Sequence, residues 1–206
     1  MRGQTLQVRI QPFVGDTIPE WYWALGATKD EAASKPGYRV PDHNDPLYVK
    51  HWSSLIRAFG KRFDGHPDLE SFDIAYGGAC GEMGGNTTKK NAVKLAQVYM
   101  NAFRKTQLIT MLETDGGTYA AARDRRIGWR GDCYGDVRTH GRNVVPEGLN
   151  WRHMYDCYPK AVAVCGVSDQ WKTAPVTLET CWTVGHWYKE GWDLDWIIEQ
   201  GSKSLS

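Results

Sequence analysis

The sequence lacks the features that would place the protein in a membrane or on a polyanion. No apolar run approaches the roughly 18 residues that a membrane-spanning helix needs, and the opening segment MRGQTLQVRIQPF has no apolar signal-peptide region. The 25 basic and 24 acidic residues leave a formal net charge of +1, without a basic run. We therefore expect a cytoplasmic protein that binds neither membranes nor nucleic acid.

Cysteine and histidine are too few and too irregularly spaced to suggest a metal site or a disulfide framework. The five cysteines are an odd number without a Cys-x-x-Cys pair, and the six histidines form no zinc-binding pattern. Reduced, partly buried thiols are the usual state of such cysteines in the cytoplasm. The sequence therefore predicts five free thiols and no metal.

Nucleotide-binding signatures are also absent, whereas aromatic residues are abundant. No Gly-x-Gly-x-x-Gly turn follows a strand, and no phosphate-binding loop motif occurs. The chain holds ten tryptophans and ten tyrosines in 206 residues. Because flat aromatic faces suit the apolar faces of sugar rings, this composition points to carbohydrate as well as to core packing.

Strand and helix patterns alternate along the whole chain. The segments predicted as strands are 5–14, 69–75, 108–113, 127–132 and 174–182. The predicted helices are one that opens at Asp45-Pro46 and runs to Phe63, followed by 89–105, 120–126, 149–158 and 194–202. Segment 161–166 fits either a strand or the end of a helix.

This alternation predicts an α/β fold built from parallel strands. Most of the strand segments are apolar on both faces, which is typical of βα units. Five or six such units are present where a closed (β/α) barrel has eight. We therefore predict one domain over residues 1–206, a partial barrel of the TIM-barrel type.

Carboxylates follow several of these strands. Glu82 lies in the glycine-rich bend YGGACGEMGG directly after the second strand, and Glu113, Asp132 and Glu179 stand at the ends of later strands. A carboxylate is costly to desolvate unless it is paired, hydrogen-bonded or protonated. Since the carboxyl ends of barrel strands are where active sites are built, we expect the functional site at this edge of the sheet.

Residues 40–85, VPDHNDPLYVKHWSSLIRAFGKRFDGHPDLESFDIAYGGACGEMGG, resemble the helix–strand–Gly-Glu segment of clan A glycoside hydrolases, above all of β-galactosidase-like (family 42-like) barrels. The segments RIQPF, GDTIPEWYW, GWRGDCYGD and APVTLETCW follow in the order that those barrels use. One departure is Gly81, which stands where these enzymes usually have an asparagine. The usual contact of that asparagine to the sugar 2-hydroxyl is therefore in question.

The resemblance implies a retaining β-glycosidase, galactosidase-like and extending to β-glucosides, that uses two glutamates and no cofactor. Glu82 fits the acid/base and Glu179 the nucleophile, on strands three apart. The expected substrate-binding residues, which hold sugar hydroxyls or the catalytic carboxylates or stack on the ring, are Arg9, Glu113, Asp132, Trp182 and Trp187.

Structural roles are the alternative for these residues. Glu82 could cap a turn through the amides of its glycine bend, Glu179 could pair with Arg130 or Lys172, and Arg9 could pair with one of the acids. For the whole molecule, the alternative is a non-catalytic carbohydrate-binding or degenerate barrel. In either case an incomplete barrel exposes strand edges and apolar surface, so we expect a homo-oligomer that covers the gap.

Overall fold

The structure is a computed structural model that describes most of the chain. It covers residues 4–10, 17–78, 83, 86–112, 114–134, 153–180, 183–189 and 194–204, without the side chains of 155, 156, 184, 186, 187 and 200–204. All statements below about contacts refer to these residues.

Strands and helices alternate, and the strands form one parallel sheet. The strands are β1 (Leu6–Val8), β2 (Leu69–Ile74), β3 (Gln107–Met111), β4 (Gly128–Tyr134) and β5 (Val176–Thr180). The helices are α1 (Glu20–Ala24), α2 (Pro46–Phe63), α3 (Lys89–Ala102), α4 (Asp115–Arg123), α5 (Tyr158–Cys165), α6 (Val184–Lys189) and α7 (Leu194–Ser204). Strand order in the sheet equals chain order, and every neighbouring pair is parallel. The predicted α/β class is therefore confirmed.

The sheet curls into a half-barrel. In a flat five-stranded sheet β1 and β5 would lie about 19 Å apart, since neighbouring strands are separated by about 4.8 Å. Arg9 directly follows β1 and Glu179 lies in β5, yet their side chains are 3.9 Å apart. This contact fits a strongly curved sheet, a curled half-barrel of five parallel strands that is compatible with the expected partial barrel.

The helices pack against the convex face of the half-barrel. Side chains alternate along β2, and Phe72 and Ile74 are buried in one cluster with Ile56 of α2 and Leu95 of α3. Phe72 also stacks on Phe103, with 4.3 Å between the ring centroids. The residues between them in β2 therefore face the concave side.

Helix α2 begins where the sequence predicts. Asp45 is its N-cap and accepts a hydrogen bond from the backbone N–H of Leu47 at 2.7 Å, and Pro46 occupies the first helical position. The Asp45 carboxylate also accepts from the backbone N–H of Thr28 at 2.6 Å, which ties the preceding loop to the helix. None of the described helices, α2 included, is long and apolar enough to cross a membrane.

Helix α4 begins five residues before the predicted start. The sequence TDGG was interpreted as the turn that ends β3, because two adjacent glycines disfavour a helix. In the structure Thr114 caps the helix by accepting a hydrogen bond from Gly117 N–H at 3.1 Å. Gly117 is needed for a close approach rather than for a turn, since a Cβ at this position would lie 1.6 Å from the carbonyl oxygen of Met111.

The region after residue 152 differs from the predicted helix at 149–158. A π-helical turn covers His153–Cys157, and α5 follows it directly. Helix α5 ends at Gly166, whose φ of +63° is the left-handed conformation that glycine adopts readily. Segment 161–166, for which a strand and a helix end were both considered, is therefore a helix end.

The other predicted elements are found with shifted ends. Strand β1 is much shorter than predicted, with three residues, and β3 ends two residues early. The last two residues predicted for β5, 181 and 182, lie outside the described residues. Helix α3 stops at Ala102, and α7 extends to Ser204. The sequence pattern thus located each element better than its boundaries.

One cysteine corrects the predicted thiol state. Cys133, near the end of β4, is disulfide-bonded, and its partner lies outside the described residues. Cys157 and Cys165 are not disulfide-bonded. The prediction of five free thiols is therefore wrong, because an odd cysteine count requires only one unpaired thiol and does not exclude a disulfide among the other four.

Candidate functional site

The predicted site residues are only partly covered by the structure. Glu82, Glu113 and Trp182 lie outside the described residues, and Trp187 belongs to α6 without a described side chain. Arg9, Asp132 and Glu179 are described. The arrangement of the two predicted catalytic glutamates relative to each other therefore stays a prediction.

Glu179 lies on the concave face of the half-barrel between two arginines. Thr177, two residues before Glu179 in β5, pairs in register with Arg130 of β4. Because side chains two residues apart in a strand point to the same face, Glu179 and Arg130 share one face of the sheet. The Oε2 atom of Glu179 is 3.5 Å from Nη1 of Arg130 and 3.9 Å from Nη1 of Arg9. The Glu179 side chain is 52% exposed, so its carboxylate is accessible from the open side of the sheet.

Behind this carboxylate, Arg130 forms a buried ion pair with Asp73 of β2. Nε of Arg130 donates a hydrogen bond to Oδ2 of Asp73 at 2.8 Å. The two side chains are only 5% and 2% exposed. Asp73 pairs in register with Ile109, whereas Arg130 pairs with Met111, so the ion pair runs diagonally across β3.

The environment of Asp73 shifts its acidity strongly. Burial raises the pKa of the Asp73 carboxyl to about 6, against the opposing effect of the Arg130 and Arg9 guanidiniums, which lower it. The neighbouring Glu179 raises this pKa further. At neutral pH Asp73 is therefore mostly ionised and pairs with Arg130 as a carboxylate, and it takes up a proton under mildly acidic conditions.

The buried pair is only partly satisfied by hydrogen bonds. Among the described residues, neither Nη1 nor Nη2 of Arg130 has a hydrogen-bond partner, and Oδ1 of Asp73 has none either. Buried polar groups without partners cost stability, and they are uncommon in folded proteins. The cluster of Arg9, Asp73, Arg130 and Glu179, called the acid–arginine cluster below, therefore carries a cost that packing alone does not explain.

The glycine bend after β2 is anchored on both of its described sides. The backbone oxygen of Tyr76 accepts a hydrogen bond from the Tyr48 hydroxyl at 2.7 Å, and the Tyr76 hydroxyl accepts one from Gly116 N–H at 3.0 Å. Met83, buried with φ of +59°, donates its backbone N–H to the oxygen of Gly77 at 2.9 Å. Hydrogen bonds thus hold the chain at Tyr76 and Gly77 before the undescribed part of the bend and at Met83 after Glu82.

Of the three predicted site residues that the structure describes, Arg9 and Glu179 belong to the acid–arginine cluster and Asp132 does not. It follows Arg130 in β4 and is partly buried, and its backbone oxygen accepts a hydrogen bond from the Tyr158 hydroxyl. None of the ion pairs among the described residues involves its carboxylate. A role for Asp132 in substrate binding stays a prediction.

Sequence reasoning missed Asp73 altogether and considered Arg130 only as a structural partner of Glu179. The signal for Asp73 was a single charged residue inside the apolar run SFDIA. A charge in the middle of a buried strand needs a partner, but the partner lies two strands away. Arg9, expected to pair with one of the acids, does so with Glu179.

The fold and the cluster together define a parallel α/β half-barrel with an acid–arginine cluster on its concave face. Comparison of the chain with protein-family models and with curated proteins finds no match in either case. The described residues hold no group of three or more His, Cys, Asp or Glu side chains placed to bind a metal ion. The activity must therefore be argued from the cluster itself and from the sequence motifs.

Proposed function

We propose that the chain carries the active site of a retaining β-glycosidase that hydrolyses β-galactosides and related β-glucosides. The observation that supports this most is the placement of Glu179. Its carboxylate stands on the concave face of a parallel half-barrel, half-exposed and flanked by Arg9 and Arg130. A retaining glycosidase needs an accessible and oriented carboxylate to attack the anomeric carbon.

In the proposed reaction, Glu179 forms a bond to the anomeric carbon while the bond to the leaving oxygen breaks. Glu82 donates a proton to that oxygen, and afterwards it accepts a proton from the water that hydrolyses the glycosyl-enzyme. This sequence requires the two carboxyl groups about 5–5.5 Å apart. A hydrogen bond from the backbone N–H of Met83 to the oxygen of Gly77 closes the bend that contains Glu82 in the sequence.

The remaining residues of the proposed site contact the sugar. Arg9, Glu113 and Asp132 bind hydroxyl groups or orient the two glutamates, and Trp182 and Trp187 stack on the ring. The hydrolysis of a glycosidic bond by two carboxyl groups requires no metal and no organic cofactor.

The partner that we propose is a second copy of the chain, which covers the open edges of a TIM-type barrel. Large apolar side chains are exposed beside both edge strands. Leu6 of β1 is 61% exposed and Leu178 of β5 is 36% exposed. Next to β1, a groove of about 430 Å³ is lined mainly by apolar and aromatic side chains, including Ile10, Trp21 and Leu55.

A non-catalytic carbohydrate-binding barrel is the second candidate. Both arginines contact the same oxygen of Glu179, which could hold the carboxylate as a structural pair rather than as a nucleophile. Gly81, in the position of the usual asparagine, removes a typical contact to the sugar. In this case the concave face would bind a sugar without cleaving it.

A cytoplasmic location is part of the proposal, and one observation counts against it. The odd cysteine count without a Cys-x-x-Cys pair favours reduced thiols in the cytoplasm. The disulfide of Cys133, however, is of a kind that persists in oxidising compartments and is rare in the cytosol. Labelling of free thiols in intact cells, before and after reduction, would decide between the two.

Hydrolysis of aryl glycosides tests the proposal. Purified protein should release 4-nitrophenol from the β-galactoside or the β-glucoside, and Glu179→Gln and Glu82→Gln should each lower kcat about a thousandfold. Glu31→Gln, which changes an exposed glutamate paired with Lys29, is the matched control and should leave kcat unchanged. No hydrolysis by the wild type, together with calorimetric binding of galactose that Glu179→Gln abolishes, would favour the binding protein instead.

A further inference from the structure

Asp73 and Arg130 have no part in the bond changes proposed above, yet they lie directly behind Glu179. Arg130 donates from Nε to Asp73 at 2.8 Å and places Nη1 3.5 Å from Oε2 of Glu179. One guanidinium therefore bridges a fully buried carboxylate on β2 and a half-exposed carboxylate on β5.

Burying an ion pair of this kind on the concave face costs desolvation free energy that apolar side chains would not. Apolar branched side chains usually fill the interior of a parallel barrel, and replacing a buried ion pair by apolar residues is often neutral or stabilising. Here the chain retains a buried aspartate and arginine, although Nη2 of Arg130 and Oδ1 of Asp73 have no hydrogen-bond partner among the described residues. The pair therefore fits a functional role better than a packing role.

We propose that Asp73 and Arg130 are positioning residues that fix the orientation of the Glu179 carboxylate. This inference rests on the proposed function of Glu179 as the nucleophile. Asp73 fixes the plane of the Arg130 guanidinium through Nε, and this orientation places Nη1 at an ion-pair distance of 3.5 Å from Oε2 of Glu179. Arg9 approaches the same oxygen from the opposite edge of the sheet, at 3.9 Å.

Both arginines lie beside the same carboxylate, since Nη1 of Arg130 is 3.5 Å and Nη1 of Arg9 is 3.9 Å from Oε2 of Glu179. The Glu179 side chain is still 52% exposed, so the carboxylate can reach a sugar from the open side of the sheet. A lysine at position 130 could not perform the same task, because a single ammonium lacks the planar fork that reaches two carboxylates at once.

The test replaces the charged pair by a neutral pair of similar shape. The double variant Asp73→Asn/Arg130→Gln removes the cation beside Glu179 without leaving a buried unpaired charge. Asp124→Asn/Arg126→Gln is the matched control, since Asp124 and Arg126 form an ion pair of the same residue types on the surface. Thermal unfolding of both double variants shows whether each one is folded before any other comparison is made.

The first measurement does not depend on activity. The carboxylate of Glu179 is modified with a water-soluble carbodiimide and glycine ethyl ester, and the labelled peptide is quantified by mass spectrometry. If the pair positions Glu179, its modification rate should rise at least about threefold in Asp73→Asn/Arg130→Gln and stay unchanged in the control. An unchanged rate in the folded double variant would overturn the proposal.

The second measurement uses aryl glycoside hydrolysis. The neutral pair should lower kcat at least about tenfold with KM changed less than about twofold, because orientation is lost whereas sugar binding is kept. Arg130→Lys should not restore kcat. Full activity of Arg130→Lys would show that charge alone is needed, and it would overturn the bridging role of Arg130.

The two measurements separate failure of this inference from failure of the proposed function. An inactive wild type whose Glu179 becomes more reactive in the neutral pair would support the positioning and refute the hydrolase. An active wild type whose kcat and Glu179 labelling are unaffected by the neutral pair would support the hydrolase and refute the positioning.

Discussion

The Asp73 carboxyl combines two properties that rarely occur together, since it is only 2% exposed and lies beside a guanidinium while its pKa is raised to about 6. Burial disfavours the carboxylate more than Arg130 and Arg9 favour it. Protonation of Asp73 would remove the negative charge that pairs with Arg130, so the ion pair inside the acid–arginine cluster should weaken at mildly acidic pH.

The stability of the protein should depend on pH through this residue. The folded-state pKa of Asp73, about 6, exceeds its ordinary value of 3.8. Between these values the native state holds a proton that the unfolded state has lost, so the free energy of unfolding should decrease as pH rises from about 4 to 6, by up to about 3 kcal/mol from this group. Urea unfolding of the wild type and of Asp73→Asn at several pH values measures the effect.

In that experiment the contribution of Asp73 to the decrease in the free energy of unfolding between pH 4 and 6 should be absent from Asp73→Asn. Asp124→Asn is a control, because Asp124 changes the free energy of unfolding with pH in the opposite direction. The hydrogen bond from Arg126 lowers the pKa of Asp124, so this exposed group contributes stability that is lost as pH falls. Equal pH dependence of the wild type and Asp73→Asn between pH 4 and 6 would contradict the assignment.

At the scale of single residues, the sequence could indicate Glu179 and Arg9 but not the cluster that they belong to. Glu179 follows a predicted strand, and that position is informative in parallel sheets. Asp73 and Arg130 are 57 positions apart in the chain and meet across β3 only because the sheet brings β2 and β4 together. Nothing in the local pattern of either residue specifies that diagonal contact.

At the scale of elements, the sequence predicted what depends on local chemistry. The start of α2 was correct because Asp45 and Pro46 are a strong N-terminal signal. The start of α4 was wrong because the glycines at 116 and 117 have low helix propensity, and a contact made elsewhere in the fold overrides it. A Cβ on Gly116 would lie 2.3 Å from the hydroxyl oxygen of Tyr76.

Substitution of Gly117 should therefore destabilise the protein although alanine is the better helix former. In Gly117→Ala the new methyl group would meet the carbonyl oxygen of Met111 at 1.6 Å, so the helix or the end of β3 must shift. We expect a loss of about 3 kcal/mol or more, against a gain of about 1 kcal/mol from helix propensity. Urea unfolding at neutral pH measures the balance.

Gly185→Ala is the matched control for this substitution. Gly185 also lies in a helix, α6, but within the described part of the chain the nearest atom to its Cβ position, Oγ1 of Thr183, is 3.8 Å away. This variant should be as stable as the wild type or slightly more stable. Similar losses in both variants would show that the close approach at Gly117 is not the cause.

At the scale of the whole molecule, the alternating pattern predicted parallel strands in a partial barrel because the connection rules leave few other arrangements. The pattern could not show the disulfide of Cys133, since cysteine pairing depends on distances in the fold.

Self-association should be measurable by light scattering. Trp21 and Leu55, which line the groove beside β1, are 56% and 40% exposed, and an exposed edge of a parallel sheet leaves backbone groups unpaired. We expect a mass of at least twice the 23.3 kDa of one chain. Leu55→Glu should shift the population toward the monomer, whereas Val164→Glu, on an exposed position of α5, should not. A well-folded, active monomer would contradict this expectation.

Thiol titration should give three free thiols in denatured, unreduced protein. Cys133 and its partner account for two of the five cysteines, and Cys157 and Cys165 form no disulfide. Prior reduction should raise the number to five. A count of five without reduction would mean that the bond does not form in the protein as purified, and it would remove the evidence against a cytoplasmic location.

The agreement between strand order and chain order has a consequence for biosynthesis. Each strand pairs with the one before it in sequence, so a nascent chain can add strands one at a time to a growing sheet. The acid–arginine cluster cannot form strand by strand in this way, because it combines residues of β2, β4 and β5 with Arg9, which follows β1. A chain synthesised only as far as the start of β5 contains Asp73 and Arg130 but not Glu179, so the acid–arginine cluster can form completely only after β5 has been synthesised.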